Sequence, residues 1–231
     1  EGYIWHYDGN TWKVNFIYDQ SDGFAYHMDI WGRNASDIYV CGVINLQSKK
    51  EQRGFILHYN GVKWEEYYKA DYISQFNSII GNDKNVLVKN IKLIFEPNNN
   101  IWADSTSVLE VGNHTLNKIF IQKVEGQISL STVANKLHVV IDNSVFKFEN
   151  GVLLHLIDIN LPNFAHRVFG RDNKDLFISM LDGICHYNGS DITYLYKFDT
   201  IFSYYVGKPL DFGNELFFNI PHTRKLHGKL K

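Results

Sequence analysis

The stretch IWHYDGNTW, at Ile4 to Trp12, returns twice in this chain, as ILHYNGVKW at Ile56 to Trp64 and as ICHYNGSDI at Ile184 to Ile192. Each copy has an apolar stretch, an Asp-Gly or Asn-Gly pair, and then a second apolar or aromatic stretch. These dipeptides supply the positive φ angles of a tight type I′ turn, so each copy predicts a β-hairpin. One unit repeated along a chain is typical of closed or stacked repeat folds.

Two weaker relatives extend the series. Val145 to Gly151 reads VFKFENG, and Val108 to Asn113 reads VLEVGN, with Gly and Asn transposed. The turn glycines lie 38 to 52 residues apart and are Gly9, Gly61, Gly112, Gly151 and Gly189. This spacing is in the range of β-propeller blades.

A polar turn that leads into a short hydrophobic strand forms a second repeated element. It occurs around Asp37, Asn85, Asn100, Asn135, Asp175 and Glu215. Asn85 and Asn100 are only 15 residues apart, which leaves two interpretations. Either one blade lacks its outer hairpin, or one of these two segments is an insertion inside a single large blade.

Composition supports an all-β chain. Apolar residues make up 45% and aromatic residues 15% of the sequence, which suits strands that bury one or both faces. No long segment keeps an apolar stripe at helical spacing, and no apolar run is long enough to span a membrane. Nothing in the sequence divides it into two domains.

The two ends of the chain complement each other. Ile201 to Ile220 has a turn and a strand with no hairpin after it, whereas Gly2 to Phe16 is a hairpin with no such unit before it. We expect them to join into one blade that closes the ring. The prediction is a single β-propeller of four-stranded antiparallel blades over residues 1–220. It has five blades, or six if Ser74 to Asn90 forms its own, and a basic tail follows over residues 221–231.

The hairpin pattern (I/V)-x-H-Y-(D/N)-G-x-x-W follows a strand of the form W-G-x-x-x-x-D-(I/L)-(Y/F)-(V/I). Together they resemble the imperfect β-propeller repeats of secreted and surface proteins of bacteria, best over Ile30 to Trp64 and less closely over Val168 to Ile192. The resemblance implies a propeller with an extracellular or cell-envelope location. It carries no catalytic residues to this chain.

Histidines and cysteines of the repeat are interpreted as structural. His6, His58 and His186 share one hairpin position, so a ring would carry them on separate blades, whereas a metal needs ligands within about 2.0–2.3 Å of one ion. Cys41 and Cys185 stand where other copies have apolar or small residues, so each is predicted to be a small buried hydrophobe. Whether they pair is left open, since a disulfide needs Cα atoms within about 7 Å.

Acidic and Asn-rich turns do not have the spacing of a calcium loop. They are Asp19 with Asp22, Asn82 with Asp83, and Asp172 with Asp175, and the side chains of such residues commonly bond the local backbone of a turn. We therefore predict no metal and no cofactor. The formal net charge is −2, and no basic patch is interleaved with aromatics, so we expect no nucleic-acid partner.

For function, the sequence favours a non-enzymatic binding or scaffold module that recognises a protein or carbohydrate ligand through rim loops. The predicted surface comprises the connections Tyr18 to Ala25, Asn45 to Arg53 and Lys69 to Gln75. The tyrosines in or beside them are candidate ligand-binding residues: Tyr18, Tyr26, Tyr67, Tyr68 and Tyr72.

The alternative function is that of a glycosidase-like propeller with acidic residues at a central funnel. Two carboxylates would lie about 5–5.5 Å apart for retention or about 6.5–9.5 Å apart for inversion. The innermost strands are predicted near Met28 to Trp31, Phe76 to Ile80 and His166 to Phe169, and Asp29 is the acid that this prediction places there.

Overall fold

The computed structural model describes residues 2–49, 51–96, 101–123, 127–163, 165–198, 210–211, 215–220 and 224–229. Every helix or strand in these ranges is a β-strand. The strands are β1 (Gly2–Tyr7), β2 (Trp12–Tyr18), β3 (Gly23–Asn34), β4 (Asp37–Leu46), β5 (Glu51–Tyr59), β6 (Trp64–Lys69), β7 (Ser74–Gly81), β8 (Val86–Glu96), β9 (Ile101–Val111), β10 (Leu116–Lys123), β11 (Ile128–Val133), β12 (Lys136–Ile141), β13 (Ser144–Glu149), β14 (Val152–Asp158), β15 (Ala165–Asp172), β16 (Asp175–Met180), β17 (Gly183–Tyr187), β18 (Ile192–Lys197), β19 (Leu210–Asp211), β20 (Glu215–Ile220) and β21 (Arg224–Lys229).

Consecutive strands form antiparallel meanders. Four sheets have four strands each, β3–β6, β7–β10, β11–β14 and β15–β18, while β1–β2 and β19–β21 form sheets of two and three strands. The chain is therefore an all-β protein built of propeller blades, and the predicted fold class is confirmed. None of the described residues forms a helix with the length and apolarity of a membrane span.

Each blade buries its middle strands. In β4 the six residues from Tyr39 to Ile44 are all buried, and in β16 the five residues from Leu176 to Met180 are buried. Contacts divide the chain into two compact units, residues 1–130 with 150–152, and residues 131–149 with 153–231. The first unit has core clusters around Phe55 and Phe76, and the second has clusters around Ile178 and Phe177.

The Tyr and Asp/Asn residues of the repeated hairpin each make a hydrogen bond that recurs in all three copies. The Tyr7, Tyr59 and Tyr187 hydroxyls donate to the carbonyl of the turn glycine two residues on, at 2.7, 3.0 and 3.0 Å. In each of the three copies the Asp or Asn that directly follows the tyrosine accepts two turn amides through its side chain. The amides of Asn10 and Thr11 donate to Asp8, those of Val62 and Lys63 to Asn60, and those of Ser190 and Asp191 to Asn188. The repeat therefore encodes a self-capped turn.

The turn type differs from the prediction in these three copies. Each connection has four residues, and only its glycine has positive φ, 99° at Gly9, 89° at Gly61 and 92° at Gly189. The Asp or Asn side chain supplies the bonds that fix this wider loop. The type I′ pattern, with positive φ at both residues of a two-residue turn, occurs instead at Asn150–Gly151, with φ of 52° and 79°.

Blades also repeat their irregularities. The first strand has a β-bulge at Met28 in β3, at Asn77 in β7 and at His166 in β15, because the register shifts between the flanking residues. A bulge inserts one residue and redirects the side chains beside it. These three strands contain the segments predicted to be innermost.

The mismatch around Asn85 and Asn100 is explained by a single blade with long strands. The turn at Asn82 to Asn85 joins β7 to β8, and β8 and β9 then pair over 10 residue pairs, from Leu87↔Glu110 to Glu96↔Ile101. The described part of the second segment, Ile101 to Ala103, therefore lies in the same sheet, which agrees with the interpretation of a single large blade. Asn100 itself lies outside the described residues.

The chain ends differ partly from the prediction. β21 pairs with β20 from Glu215↔Lys229 to Ile220↔Arg224, so the sheet continues into the stretch predicted as a basic tail. The expectation that no hairpin follows Ile220 is therefore wrong. The sequence did not indicate this hairpin, because the connection after Ile220 contains no Asp-Gly or Asn-Gly pair. Among the described pairings β1 pairs only with β2, so the joining of both ends into one blade stays a prediction.

Candidate functional site

Two of the three repeated histidines bond an acid of the neighbouring strand, whereas His6 is exposed. His58 Nε2 lies 2.7 Å from Asp37 Oδ1, and His186 Nε2 lies 2.7 Å from Asp175 Oδ1. Arg33 and Arg171 bond the second oxygen of the same two carboxylates. In the β7–β10 blade the equivalent bond joins Asn85 Nδ2 to Glu110 Oε1 at 2.6 Å. Because a His–Asp bond and an Asn–Glu bond both occur at this position, the role of the bond is to hold the third strand of the blade to the second. No group of three metal ligands occurs in the described ranges.

The Asp175 cluster makes stability depend on pH. Burial alone would raise the pKa of Asp175, but the bonds from His186 and Arg171 outweigh it and hold the pKa below the usual 3.8. The stabilisation is present above that ordinary value and is lost as pH falls through the lower folded-state pKa. We expect the urea midpoint of the wild type to fall in this acid range and that of Asp175→Asn to fall less steeply. Equal acid dependence of the two proteins would contradict the assignment.

The other polar candidates are accounted for by turns and packing. Asp22 accepts the Ser48 amide at 3.0 Å, Asn82 accepts two amides of its own turn, and Asp172 accepts the Lys174 amide at 2.7 Å. Cys41 and Cys185 are buried and free, as predicted for small hydrophobes, and burial raises the pKa of both thiols, to about 12 for Cys185.

The five candidate tyrosines do not form one surface. Tyr18 is buried and donates to Glu66, and Tyr67 donates to the Gly112 carbonyl at 2.7 Å. Tyr68 and Tyr72 pack on the core cluster around Phe76. Tyr26 is 52% exposed on β3. Ligand binding by these residues therefore stays a prediction, with Tyr26 the one that presents its ring to solvent.

The connections predicted as binding loops are short. β2 and β3 are separated by residues 19–22, and β6 and β7 by residues 70–73. Most of the Asn45–Arg53 stretch belongs to β4 and β5, which pair as far as Leu46↔Glu51. The polar sequence SKKEQR indicates a loop, whereas its last three residues, Glu51, Gln52 and Arg53, belong to β5.

Asp29, the acid predicted near the axis, connects two blades of the first unit. Its Oδ2 accepts the Ile79 amide at 2.9 Å and the Ser78 hydroxyl at 3.1 Å, and its Oδ1 accepts the Ile30 amide at 2.9 Å. Oδ2 therefore holds β3 against β7, while Oδ1 is bonded within β3 itself. Arg33 adds a bond from Nε to the Asn82 carbonyl at 3.0 Å.

A cleft of about 320 Å³ lies between β1 and β3, and we call it the β1–β3 cleft. Its walls are largely apolar and aromatic, and it is lined by Tyr3, Ile4, Trp5, His27, Met28, Asp29, Ile30 and Val40. Four successive residues of β3 reach the cleft, which strict alternation would forbid. The bulge at Met28 permits it, because it breaks the alternation of the strand.

His27 is the unusual group in this cleft. Its Nδ1 lies 3.3 Å from the Tyr3 carbonyl, and its ring packs edge-on against Phe55 at 5.7 Å. The buried Nε2 has no hydrogen-bond partner among the described residues. Because burial outweighs the bond to Tyr3, the pKa of His27 lies below the usual 6.5, so the ring stays neutral at neutral pH.

The sequence prediction missed His27. The predicted innermost segment begins at Met28, one residue later, and His27 is not one of the histidines that repeat. The sequence does distinguish His27 from the other candidates, because it falls outside the repeated hairpin. Residues that break a repeat are free of the packing role that the repeat imposes.

A second cleft, of about 460 Å³, lies between the β14–β15 connection and the β17–β18 hairpin, and we call it the β14–β18 cleft. It is lined by Ile157, Asp158, Asn160, Leu161, Tyr187, Ser190, Asp191 and Ile192. Asp158 accepts bonds from Ser144 Oγ at 2.6 Å and His155 Nε2 at 2.8 Å, which lower its pKa below 3.8. This cleft thus contains two carboxyl groups, one of them held ionised.

Comparison with known proteins gives structural matches only. Neither a protein-family model nor a curated protein sequence matches the chain. A protein provisionally named a gluconolactonase is similar at a TM-score of 0.46 and 10% identity, over 91% of this chain and 92% of that one. Virginiamycin B lyase from Staphylococcus aureus is similar at 0.39 and 12%, over 92% and 86%. Pyrococcus horikoshii acylaminoacyl peptidase is similar at 0.39 and 11%, over 85% of this chain but 43% of that one.

The prediction of a non-catalytic binding or scaffold module is contradicted by these comparisons. The propeller-like structures that they return bear the names of enzymes, and this is the finding that overturns it. At such identities and TM-scores no activity or substrate passes from those proteins to this chain. The chemistry has to be argued from its own clefts.

Proposed function

We propose that this chain is an enzyme that uses His27 as a general base in the β1–β3 cleft. The observation that carries the proposal is an imidazole with one nitrogen anchored and the other unpartnered among the described residues. A carbonyl oxygen only accepts hydrogen bonds, so the contact with Tyr3 assigns the proton to Nδ1. Nε2 then has the free lone pair that a base needs.

The environment of His27 suits this role. A base works best when its unprotonated form is populated at the operating pH, and the lowered pKa of His27 ensures this. Asp29 lies near on the same strand, but its oxygens are bonded to Ile30, Ser78 and Ile79. Asp29 therefore acts as a positioning residue that holds β3 in place.

The lining of the cleft indicates the class of substrate. Exposed Trp5, Met28 and Ile30 offer apolar surface, and the volume is at the lower end of the roughly 300–1,000 Å³ of ligand sites. A small molecule with an apolar or aromatic ring fits this lining. Next to its own ring, this molecule would carry an acidic C–H group or an ester or lactone bond. His27 would accept a proton from the carbon in the first case and from an attacking water in the second.

Access to Nε2 requires movement of β1. Gly2 faces the imidazole so closely that a Cβ at this position would lie 2.8 Å from Nε2. Among the described pairings β1 pairs only with β2, and a two-stranded sheet is the least constrained kind. Substrate binding should therefore displace the start of β1.

The test is an activity screen followed by a pH–rate profile. Aryl esters, lactones and activated carbon acids form the panel, and aryl glycosides are included for the alternative below. We expect turnover of an ester, lactone or carbon acid, with an acid limb of kcat/KM centred below pH 6.5, the ordinary value for histidine. A panel without turnover, or an acid limb above that value, would refute the proposal.

The second candidate is glycoside hydrolysis in the β14–β18 cleft. Asp158 and Asp191 line one cleft with Tyr187 and Ser190, and polar walls of this kind suit a sugar. The low pKa of Asp158 fits a nucleophile or base. Hydrolysis of aryl glycosides that is lost in both Asp158→Asn and Asp191→Asn, but kept in His27→Asn, would favour this candidate.

An extracellular or envelope location and a protein or carbohydrate ligand remain predictions.

A further inference from the structure

Asp-Gly and Asn-Gly pairs are the sites at which proteins modify themselves most readily. The amide nitrogen of the glycine attacks the side-chain carbonyl before it, since glycine has no side chain to hinder the approach. The six pairs of this chain are Asp8–Gly9, Asp22–Gly23, Asn60–Gly61, Asn150–Gly151, Asp182–Gly183 and Asn188–Gly189. All lie in described parts of the structure, so their surroundings can be compared.

Five of the six side chains are held by hydrogen bonds. Asn60 and Asn188 each accept two amides of their own turn, at 3.0 and 3.0 Å and at 2.9 and 2.8 Å. Asp8 accepts two amides and Asp22 accepts the Ser48 amide, while both oxygens of Asp182 accept the Tyr194 hydroxyl. These bonds restrain the rotation that brings the side-chain carbon onto the glycine nitrogen.

Asn150 is different. Its side chain is exposed and makes no hydrogen bond to any described residue, and the turn leaves open space around Gly151, where a Cβ would meet nothing within 4 Å. The tight turn explains the difference, because a two-residue connection has no further loop amide for the side chain to cap. The four-residue turns of the repeat have such amides.

We propose that Asn150–Gly151 is the deamidation site of this protein, and that Asn60 and Asn188 are protected by their turns. The Gly151 nitrogen forms a bond to Cγ of Asn150, the Cγ–NH₂ bond breaks, and ammonia leaves with the amide proton. Water then opens the resulting succinimide at either carbonyl, giving aspartate or isoaspartate. One water is consumed and one ammonia released, with no oxidant or reductant.

Both products alter the hairpin. Each adds a negative charge next to Glu149, which takes the formal net charge from −2 to −3. Aspartate tolerates the positive φ of 52° at this position, so that product keeps the turn. Isoaspartate lengthens the backbone inside a two-residue turn that sets the register of β13 and β14, so that product should loosen the hairpin.

The experiment follows the three Asn-Gly peptides by mass spectrometry after incubation of the folded protein at mildly alkaline pH and digestion under acidic conditions. The change of –NH₂ to –OH should accumulate at Asn150 about tenfold faster than at Asn60 or Asn188, since two bonds must break at each of those residues. Asn150→Asp marks the elution of one product, and Asn150→Gln should remove the fast phase.

The matched control is the same chain unfolded in denaturant. There the three pairs have the same local sequence chemistry and should react at similar rates. Similar rates in the folded protein, or faster reaction at Asn60 or Asn188, would overturn the proposal. A preference for Asn150 that persists in denaturant would also overturn it, because the cause would then be sequence and not the turn.

Discussion

Phe55→Ala is expected to lower the free energy of unfolding by about 3–5 kcal/mol, the range for removing a buried aromatic ring from a packed core. Phe55 is fully buried in β5 and belongs to the core cluster with Ile44 and Leu57. The centroid of its ring lies 4.7 Å from that of Tyr18 in β2 and 5.7 Å from that of His27 in β3. A Cβ at Gly42 would lie 2.7 Å from the same ring, so this site in β4 has no side chain that could fill the space.

Urea unfolding measures the effect, with Val62→Ala as the control. Val62 is 87% exposed in the β5–β6 turn, and its truncation should change stability by no more than about 0.5 kcal/mol. Phe55→Leu retains much of the volume and should cost less than Phe55→Ala. A loss below about 1 kcal/mol in Phe55→Ala would show that the surrounding strands collapse into the space, contrary to the packing described.

The fold was predictable because its information is local. A hairpin needs a turn residue of the right kind and apolar strands on either side, and the repeated HY(D/N)G letters provide both. In the copy at Ile56 to Trp64 the Tyr59 hydroxyl donates to its turn glycine, two turn amides donate to the Asn60 side chain, and His58 bonds Asp37. The four spacings between five turn glycines were therefore enough to indicate blades.

The candidate site was not predictable by the same means. The role of His27 depends on the Tyr3 carbonyl and on Gly2, both on another strand, and on a bulge at Met28 that no sequence pattern marked. Turn type was also mispredicted, because an Asn-Gly pair fits both a two-residue and a four-residue connection. Only strand register, which side-chain packing sets over the whole sheet, decides between them.

His27→Asn is expected to lower kcat by about 10²–10⁴-fold on whichever panel substrate is turned over, the usual contribution of a positioned general base. Asparagine is the sharpest replacement, because its amide N–H occupies the position of Nδ1 and can still donate to the Tyr3 carbonyl. The variant therefore keeps the anchoring bond and removes the basic Nε2. KM should change little, since the apolar walls formed by Trp5, Met28 and Ile30 remain.

Three comparisons separate catalysis from structure. His6→Asn changes an exposed histidine of β1 that does not line the cleft, and it should keep full activity. Urea unfolding of His27→Asn should show a folded protein, so that a loss of kcat cannot be attributed to unfolding. The pH–rate profile of any residual activity should lose the acid limb below pH 6.5, because the group that titrates there is gone. An unchanged kcat, or an acid limb that survives in His27→Asn, would transfer the chemistry away from the β1–β3 cleft. If the substrate were then an aryl glycoside, Asp158 and Asp191 would be the residues to replace next.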